Sequence, residues 1–198
     1  MTTGSSTHQP PFGDESFEAR ERRVVLRTLR DHALDPERLE LQCVNAGDLI
    51  AQAMDLLRGR ERTDNRIAFI GGTTSGSLSV RASYSWLWCA VEHLIRSAMR
   101  AARAPGRVEI MAQPFRFNRD EILFSVRNDG AAVPPDTITR MLAQTCETYR
   151  ESEDQEDLRG FGFALVVAGA VVRAHGGRVW VESEEDQGTT VYFTLPRA

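Results

Sequence analysis

The sequence predicts an α/β fold, a two-layer sandwich in which helices cover one face of a mixed β-sheet and one helix precedes it. Three observations support this fold class. Strand-like and helix-like apolar segments alternate along the chain from Leu39 onward. A glycine-rich turn at Gly160 runs directly into an apolar helix, which ends at His175-Gly176-Gly177. Two strands, Arg178–Ser183 and Thr189–Leu195, then close the chain as a hairpin.

The N-terminal part is predicted to be a disordered tail followed by one helix. Residues 1–15 are rich in Ser, Thr, Gly and Pro, a composition that favours disorder. From Phe17 to Leu34 apolar residues recur at helical spacing, and Asp35-Pro36 ends the helix. We therefore divide the chain into a tail (1–15), an N-terminal helix with its linker (16–38) and one domain (39–198).

The order of elements within the domain follows from apolar periodicity and turn residues. The predicted elements are a strand at Leu39–Val44, a helix at Ala46–Leu57, a hairpin of Arg66–Ile70 and Leu78–Ala82, a helix at Trp86–Ala102 and a hairpin of Arg107–Ala112 and Ile122–Val126. A turn-rich segment, Asn128–Pro135, and a polar stretch then lead to Gly160. Hairpins together with crossover helices predict a mixed sheet.

The composition indicates a soluble, cytoplasmic protein and excludes several functional classes. A net charge of −4 over 198 residues argues against a nucleic-acid binder that neutralises phosphates. No apolar run is long enough to span a membrane, and the three scattered cysteines indicate neither disulfides nor a zinc site. All 24 basic residues are arginine, which excludes a P-loop with its phosphate-binding lysine. We therefore expect neither nucleic acid nor a membrane among the partners.

The C-terminal part carries a glycine-rich run in an order typical of one family. Gly160, Gly162 and Leu165 precede a helix, which is followed by His175-Gly176-Gly177 and, in the closing hairpin, by Gly188-Thr189. This order resembles the GHKL ATPases of the Bergerat fold, and most closely the catalytic, ATP-binding domain of histidine kinases. The resemblance covers residues 39–196 and implies an ATP site with magnesium. It places Gly160, Gly162 and Thr189 at the nucleotide, where a helix N-terminus favours phosphate.

The helix predicted at Trp86–Ala102 is similar to the N-box of this family, in which the second of two Asn residues holds magnesium. Here His93 and Ser97 occupy the two Asn positions, and Arg100 matches the cation that reaches the phosphates. The shorter arm of serine would need a water molecule to reach the metal. Glu92 and His93 are alternative candidates for a metal or acid/base pair. A solvated carboxylate and a packed ring are the simpler interpretations, and we predict no metal bound by protein side chains alone.

The segment after the strand Ile122–Val126 resembles the first glycine box of the family. Asn128 takes the place of the Asp that accepts a hydrogen bond from the adenine amino group, Gly130 is retained, and Ala132 replaces the second glycine. An amide oxygen can still accept but lacks the charge-assisted bond of a carboxylate. Ala164 replaces a glycine of the second box in the same way. A methyl group at either alanine obstructs phosphate if the site needs a positive φ or a close backbone approach.

The altered contact positions predict a degenerate ATP site. Residues 151–157, which correspond to the ATP lid, include five acids that would repel a polyanion. With Ser97, Asn128, Ala132 and Ala164, they predict weak or no binding of ATP or ADP with magnesium.

The resemblance also implies a role in two-component signalling. Histidine kinases carry the phosphoacceptor on a helical hairpin, whereas this chain has one N-terminal helix, and His32 near its end does not match the acceptor motif. We expect a histidine-kinase-like protein that contacts a histidine kinase, a response regulator or a sigma-factor regulator. The apolar stripe of the N-terminal helix would make a homodimer, dock on a partner, or fold back onto the chain's own domain. The alternative function is a competent GHKL kinase that phosphorylates a partner in trans, as anti-sigma serine kinases do.

Overall fold

The structure, a computed structural model, describes residues 17–33, 39–60, 67–149 and 161–198. Within these ranges five strands form a mixed sheet, and two more strands form a separate antiparallel ribbon. The helices are α1 (Phe17–Thr28), α2 (Ala46–Arg60), α3 (Tyr84–Ala101), α4 (Pro135–Leu142) and α5 (Phe161–Ala174). The strands are β1 (Gln42–Asn45), β2 (Ile67–Thr73), β3 (Ser79–Ala82), β4 (Gly106–Pro114), β5 (Glu121–Asn128), β6 (Arg178–Glu184) and β7 (Gly188–Pro196).

The large sheet has the strand order β2-β4-β5-β7-β6. Strands β4, β5, β7 and β6 pair antiparallel, and β2 joins the edge parallel to β4. The register sets Phe124 of β5 opposite Phe193 of β7, and their rings stack with centroids 4.8 Å apart. The predicted mixed sheet and the predicted hairpins β4–β5 and β6–β7 are confirmed.

The hairpin predicted from Arg66–Ile70 and Leu78–Ala82 is wrong. Both strands exist, but β2 pairs with β4, whereas β3 pairs with β1 through Val44 and Val80. The long helix α3 follows β3 and crosses over the sheet before β4, and such a crossover allows β2 and β4 to run parallel. Pairing of β2 with β4 along its whole length, with Ile67 and Phe69 packed against the core, therefore outweighs the local turn signal of the loop between β2 and β3.

The core lies between the large sheet and the helices α2, α3 and α5. Alternate residues of β4, β5 and β7 point into it, as in a sheet with one covered face. Helix α5 is buried on all sides from Phe161 to Val172, as its uniformly apolar sequence requires. Within the described ranges, no helix is both long enough and apolar enough to cross a bilayer.

The sequence did not predict α4, which lies in the stretch that we interpreted as turns followed by a polar segment. Pro135 stands at the first position of this helix, where its missing N–H costs nothing. The helix has eight residues, and its buried residue is Met141. So short a helix gives a weak periodic signal, which its turn residues obscured.

Helix α1 packs onto the domain and continues into one turn of π-helix, Leu29–Ala33. The Leu29 side chain is fully buried, Val25 and Leu26 pack against the core, and Val24 is 59% exposed. The apolar stripe of the N-terminal helix thus folds back onto the chain's own domain, one of the arrangements that the sequence left open. The tail at 1–15 and the linker at 34–38 lie outside the described residues, and the domain boundaries stay a prediction.

Candidate nucleotide site

A cavity of ≈490 Å³ opens where the C-terminal end of α3, the segment after β5 and the start of α5 meet. Its apolar lining consists of Ala101, Ala102, Ala104, Ala131, Ala132, Val133 and Phe161, and its polar lining of Arg103, Asn128 and Thr189. The volume falls in the range of about 300–1,000 Å³ that is typical of small-molecule sites. A mostly apolar pocket with a few polar groups suits a flat ring that is recognised at its edge.

Asn128, predicted to face the nucleotide base, ends β5 at the wall of this cavity. Its side chain is 5% exposed, and its Oδ1 accepts a hydrogen bond from the Gly130 backbone N–H at 2.9 Å. Gly130 passes so close to α3 that a Cβ there would lie 2.0 Å from the Ala101 carbonyl oxygen. The retained glycine is therefore required for packing, whatever ligand the site holds. Asp129 faces α3 instead, where its carboxylate accepts from the Arg103 backbone N–H at 3.2 Å.

Thr189, also predicted at the nucleotide, lies opposite Asn128 in the register of β5 and β7. It is 2% exposed, and its hydroxyl lies 2.7 Å from the Ser183 hydroxyl. Ser183 Oγ in turn accepts a hydrogen bond from the Val133 N–H at 2.9 Å. This chain of contacts fixes the loop after β5 to the terminal hairpin and so shapes the cavity wall.

The N-box candidates lie on α3, beyond the first cavity. Ser97 is 3% exposed, and its Oγ has no hydrogen-bond partner among the described residues. His93 lies edge-on to the Phe163 ring with centroids 5.0 Å apart, and burial lowers the pKa of its imidazole. Glu92 accepts a hydrogen bond from Arg96 at 2.6 Å. Glu92 and His93, our candidates for an acid/base pair, thus contact different partners.

Helix α1 closes this end of the site. Glu21 forms an ion pair with Arg96 at 3.8 Å, and the Arg22 guanidinium lies 5.6 Å from the centroid of the Phe163 ring. The remaining space is a cavity of ≈20 Å³ that His93, Ser97, Arg100 and Ala164 also line. A cavity of this size holds about one water molecule.

The alanines that replace family glycines have ordinary backbone conformations. Among the described residues, Asp186 is the one non-glycine residue with a positive φ, so neither Ala132 nor Ala164 is strained in this way. Ala164 lies in α5 with its methyl group at the small cavity, and Gly162 is buried in the first turn of the same helix. Gly160 and the acids of 151–157 lie outside the described residues.

The two ends of the site differ in how well they fit a nucleotide with magnesium. The ≈490 Å³ cavity has room and edge polarity for a nucleobase. The ≈20 Å³ cavity beside Ser97 and Arg100, at the predicted phosphate end, is smaller than a magnesium-bound polyphosphate. Among the described residues, no cluster of three His, Cys, Asp or Glu side chains could hold a metal by itself.

The sequence did not predict that Glu21 and Arg22 line the small cavity. Glu21 and Arg22 come from α1, about seventy residues before the N-box, and no local pattern links the two. Phe163 was detectable, because it places an aromatic ring where the matched family motif has leucine. Phe161, which lines the larger cavity, follows Gly160 at a position that the motif leaves open.

Comparison with known proteins agrees with the fold. The family model for histidine kinase-, DNA gyrase B- and HSP90-like ATPases matches residues 83–198, and the chain belongs to this family. Cyanobacterial phytochrome A of Nostoc sp. (strain PCC 7120 / SAG 25.82 / UTEX 2576) is 30% identical over 178 residues, which are 87% of this chain and 22% of that protein. The sensor histidine kinase WalK of Bacillus subtilis (strain 168) is 27% identical over 67% of this chain and 21% of its own length. The chain thus spans about a fifth of these two curated relatives.

Solved structures show the same fold. The catalytic domain of histidine kinase ThkA, in a nucleotide-free form, superposes with a TM-score of 0.66 at 21% identity, over 80% of this chain and 96% of that domain. Full-length ShkA in complex with AMPPNP gives a TM-score of 0.68 at 22% identity, over 94% of this chain and 40% of ShkA. These similarities confirm the predicted class, a histidine-kinase-like GHKL ATPase domain.

Proposed function

We propose that this chain is a histidine-kinase-like signalling protein with a degenerate ATP site, which acts mainly through protein contacts in two-component-type signal transduction. The observation that carries the proposal is the closure of the phosphate end. Glu21 and Arg22 of α1 lie over Arg96 and Phe163, and the space that they leave is ≈20 Å³. A nucleotide with its phosphates and magnesium would have to displace α1.

The altered contact positions support the same proposal. Ser97 stands where the family places the magnesium-binding Asn, and Asn128 replaces the Asp that binds the adenine amino group. Ala132 and Ala164 add methyl groups along the ligand path. The five acids of 151–157 add negative charge to the segment that corresponds to the ATP lid, and like charges repel a polyanion within a Debye length of about 10 Å. Each change is small, but all of them lower affinity for Mg-ATP.

Isothermal titration calorimetry with Mg-ATP tests the degenerate site. We expect weak or undetectable binding by the wild-type chain and a measurable gain in the Glu21→Ala/Arg22→Ala variant, because the phosphate end then opens. Leu41→Ala is the control, because Leu41 is 40% exposed and lies outside α1, and we expect it to change nothing. A dissociation constant in the micromolar range or below for the wild-type chain would contradict the proposal.

The second candidate function is a competent GHKL kinase that phosphorylates a partner in trans. The open ≈490 Å³ cavity favours it, since a nucleobase site survives next to the start of α5. ShkA, with the same fold, is a nucleotide complex. Tight Mg-ATP binding with transfer of label to an added protein would select this function over the first.

An exposed aromatic surface supports the role of protein contacts. On the open face of the sheet, Phe115 contacts Phe117 and Trp180, with ring centroids 5.4 Å and 6.1 Å apart, and Trp180 stacks on Tyr192 at 5.3 Å. Phe117 is 73% exposed, and the Arg116 guanidinium lies 4.3 Å from its ring centroid. Aromatic and arginine side chains are enriched where proteins bind each other. A histidine kinase, a response regulator or a sigma-factor regulator is the proposed partner, in the cytoplasm.

A homodimer through the N-terminal helix is the remaining part of the proposal. It would use the outer side of α1, where Val24 is 59% exposed. We expect light scattering to give a mass above that of the 22.1 kDa chain and Val24→Asp to lower it. Leu41→Asp is the control, because Leu41 is 40% exposed but lies outside α1. A mass of one chain that neither substitution changes would exclude this dimer.

A further inference from the structure

The amide of Asn128 presents a hydrogen-bond donor to the larger cavity. Its oxygen accepts from the Gly130 N–H at 2.9 Å, and the side chain is 5% exposed at the cavity wall. A planar amide has one oxygen and one nitrogen, so the arm that faces away from Gly130 is the NH₂ group. The described residues offer that NH₂ group no acceptor. A donor at a cavity wall is available to an acceptor on a ligand or on a water molecule.

The orientation of this amide is set by the backbone. The Gly130 N–H is buried and needs an acceptor, and a flipped amide would turn the NH₂ group toward it. The loop cannot move away easily, because Gly130 packs against the Ala101 carbonyl with no space for a Cβ. An aspartate at this position would differ, since its two oxygens could accept from Gly130 and from a ligand at once. The change from aspartate to asparagine therefore replaces a hydrogen-bond acceptor at the cavity wall with a donor.

We propose that this cavity prefers a 6-oxopurine, the base of guanosine or inosine, over adenine. The 6-oxo group accepts a hydrogen bond, whereas adenine carries an amino donor at the same position, so Asn128 would pair with the first and oppose the second. The Thr189 oxygen lies opposite Asn128 in the strand register and can accept from the ring N–H beside the oxo group. Phe161, Ala132 and Val133 provide apolar surface for the ring faces. The inference rests on the proposed function insofar as it takes this cavity as the base end of a degenerate nucleotide site.

Nucleosides test this preference, because they have no phosphates and do not require the closed end of the site. Guanosine, inosine and adenosine would be titrated into the full chain by ligand-observed NMR. We expect guanosine and inosine to bind at least about tenfold more tightly than adenosine. Their 6-oxo group would accept a hydrogen bond from the Asn128 NH₂ group, whereas the amino group of adenosine would place a second donor against it. Asn128→Asp should reverse the order. Asn118→Asp is the matched control in an exposed turn and should leave the order unchanged.

The outcomes separate this inference from the proposed function. Adenosine binding as tightly as guanosine to the wild-type chain, or no nucleoside binding at all, would overturn the inference and leave the degenerate-site proposal standing. An unchanged preference in a folded Asn128→Asp variant would also overturn it. Micromolar Mg-ATP binding would instead contradict the proposed function. The wild-type titration needs no variant, so the inference is decided even if Asn128→Asp fails to fold.

Discussion

His175 joins the end of α5 to the start of α3 through both nitrogens of its ring. Its Nδ1–H donates to the Val171 carbonyl at 2.7 Å, and its Nε2 accepts from the Ser83 N–H at 2.9 Å. The imidazole must therefore be neutral, because a proton on Nε2 would face the Ser83 donor. Burial lowers the pKa of His175 from 6.5 and outweighs the hydrogen bond to Val171, which raises it.

This histidine makes stability depend on pH. The folded pKa lies below the unfolded value of 6.5, so the unfolded chain takes up protons first as the pH falls. We expect the free energy of unfolding, measured in urea, to be level between about pH 7 and 8 and to decrease from about pH 6.5 downward.

His93 adds to the same effect, since burial lowers its pKa as well. His93→Phe keeps a ring next to Phe163 and removes the titration of His93. The pH dependence of the free energy of unfolding that remains in this variant reports the other histidines. A free energy of unfolding that stays level or rises between pH 7.5 and 5.5 would contradict the assignment. Burial raises the pKa of Glu121, but its hydrogen bonds lower it by more, so the pKa is lowered overall. Its ordinary value is 4.5, so Glu121 affects the free energy of unfolding only at lower pH.

Single residues were predictable where a motif fixes their position along the chain. The sequence predicted a ligand-facing place for Asn128, and the structure puts it at a cavity wall. The sequence could not predict which of its amide atoms faces the cavity, because that depends on the Gly130 N–H and on the packing of the loop against α3. Glu21 and Arg22 escaped detection for the same reason, since their contacts join distant segments.

At the scale of elements, α1 acts as part of the domain. Leu29, in the π-helical turn that follows α1, is fully buried. We expect Leu29→Ala to lower the free energy of unfolding by about 2–5 kcal/mol, because it leaves a cavity under the helix. Leu41→Ala, at a 40% exposed position outside α1, should change it by less than about 0.5 kcal/mol. Equal effects of both substitutions in urea titrations would show that α1 does not pack as described.

The hairpins show which pairings a single sequence can predict. β4–β5 and β6–β7 are joined by short turns, so their pairing is local and the turn residues indicate it. β2 and β3 are also neighbours in sequence, yet β2 pairs with β4 across the whole of α3. The pairing of β2 with β4 depends on which strand edge is unpaired once the core has formed, and no local sequence pattern indicates it.

At the scale of the whole molecule, the fold was predictable because several motifs occur in a fixed order. The proposed function depends on a different relation, the position of α1 over the end of the site that is predicted to hold the phosphates. The same helix stabilises the domain through Leu29 and closes the site through Glu21 and Arg22. A partner that pulls α1 away would both open the site and lower the stability of the domain. A substitution that detaches α1 should therefore both raise affinity for Mg-ATP and lower the free energy of unfolding.

The chain itself is not expected to be phosphorylated on histidine. Neither of the two histidines whose side chains the structure describes is placed as an acceptor, because His175 is held at both ring nitrogens and His93 packs edge-on to Phe163. His32 lies in the π-helical turn after α1. His8 lies outside the described residues. We expect the chain to remain unlabelled after incubation with γ-labelled ATP, because in the proposed function α1 covers the phosphate end of the site, and His93 beside it packs against Phe163. Acid-labile label that disappears in His32→Ala, but persists in the matched His8→Ala control, would contradict this and would make the chain a phosphotransfer protein.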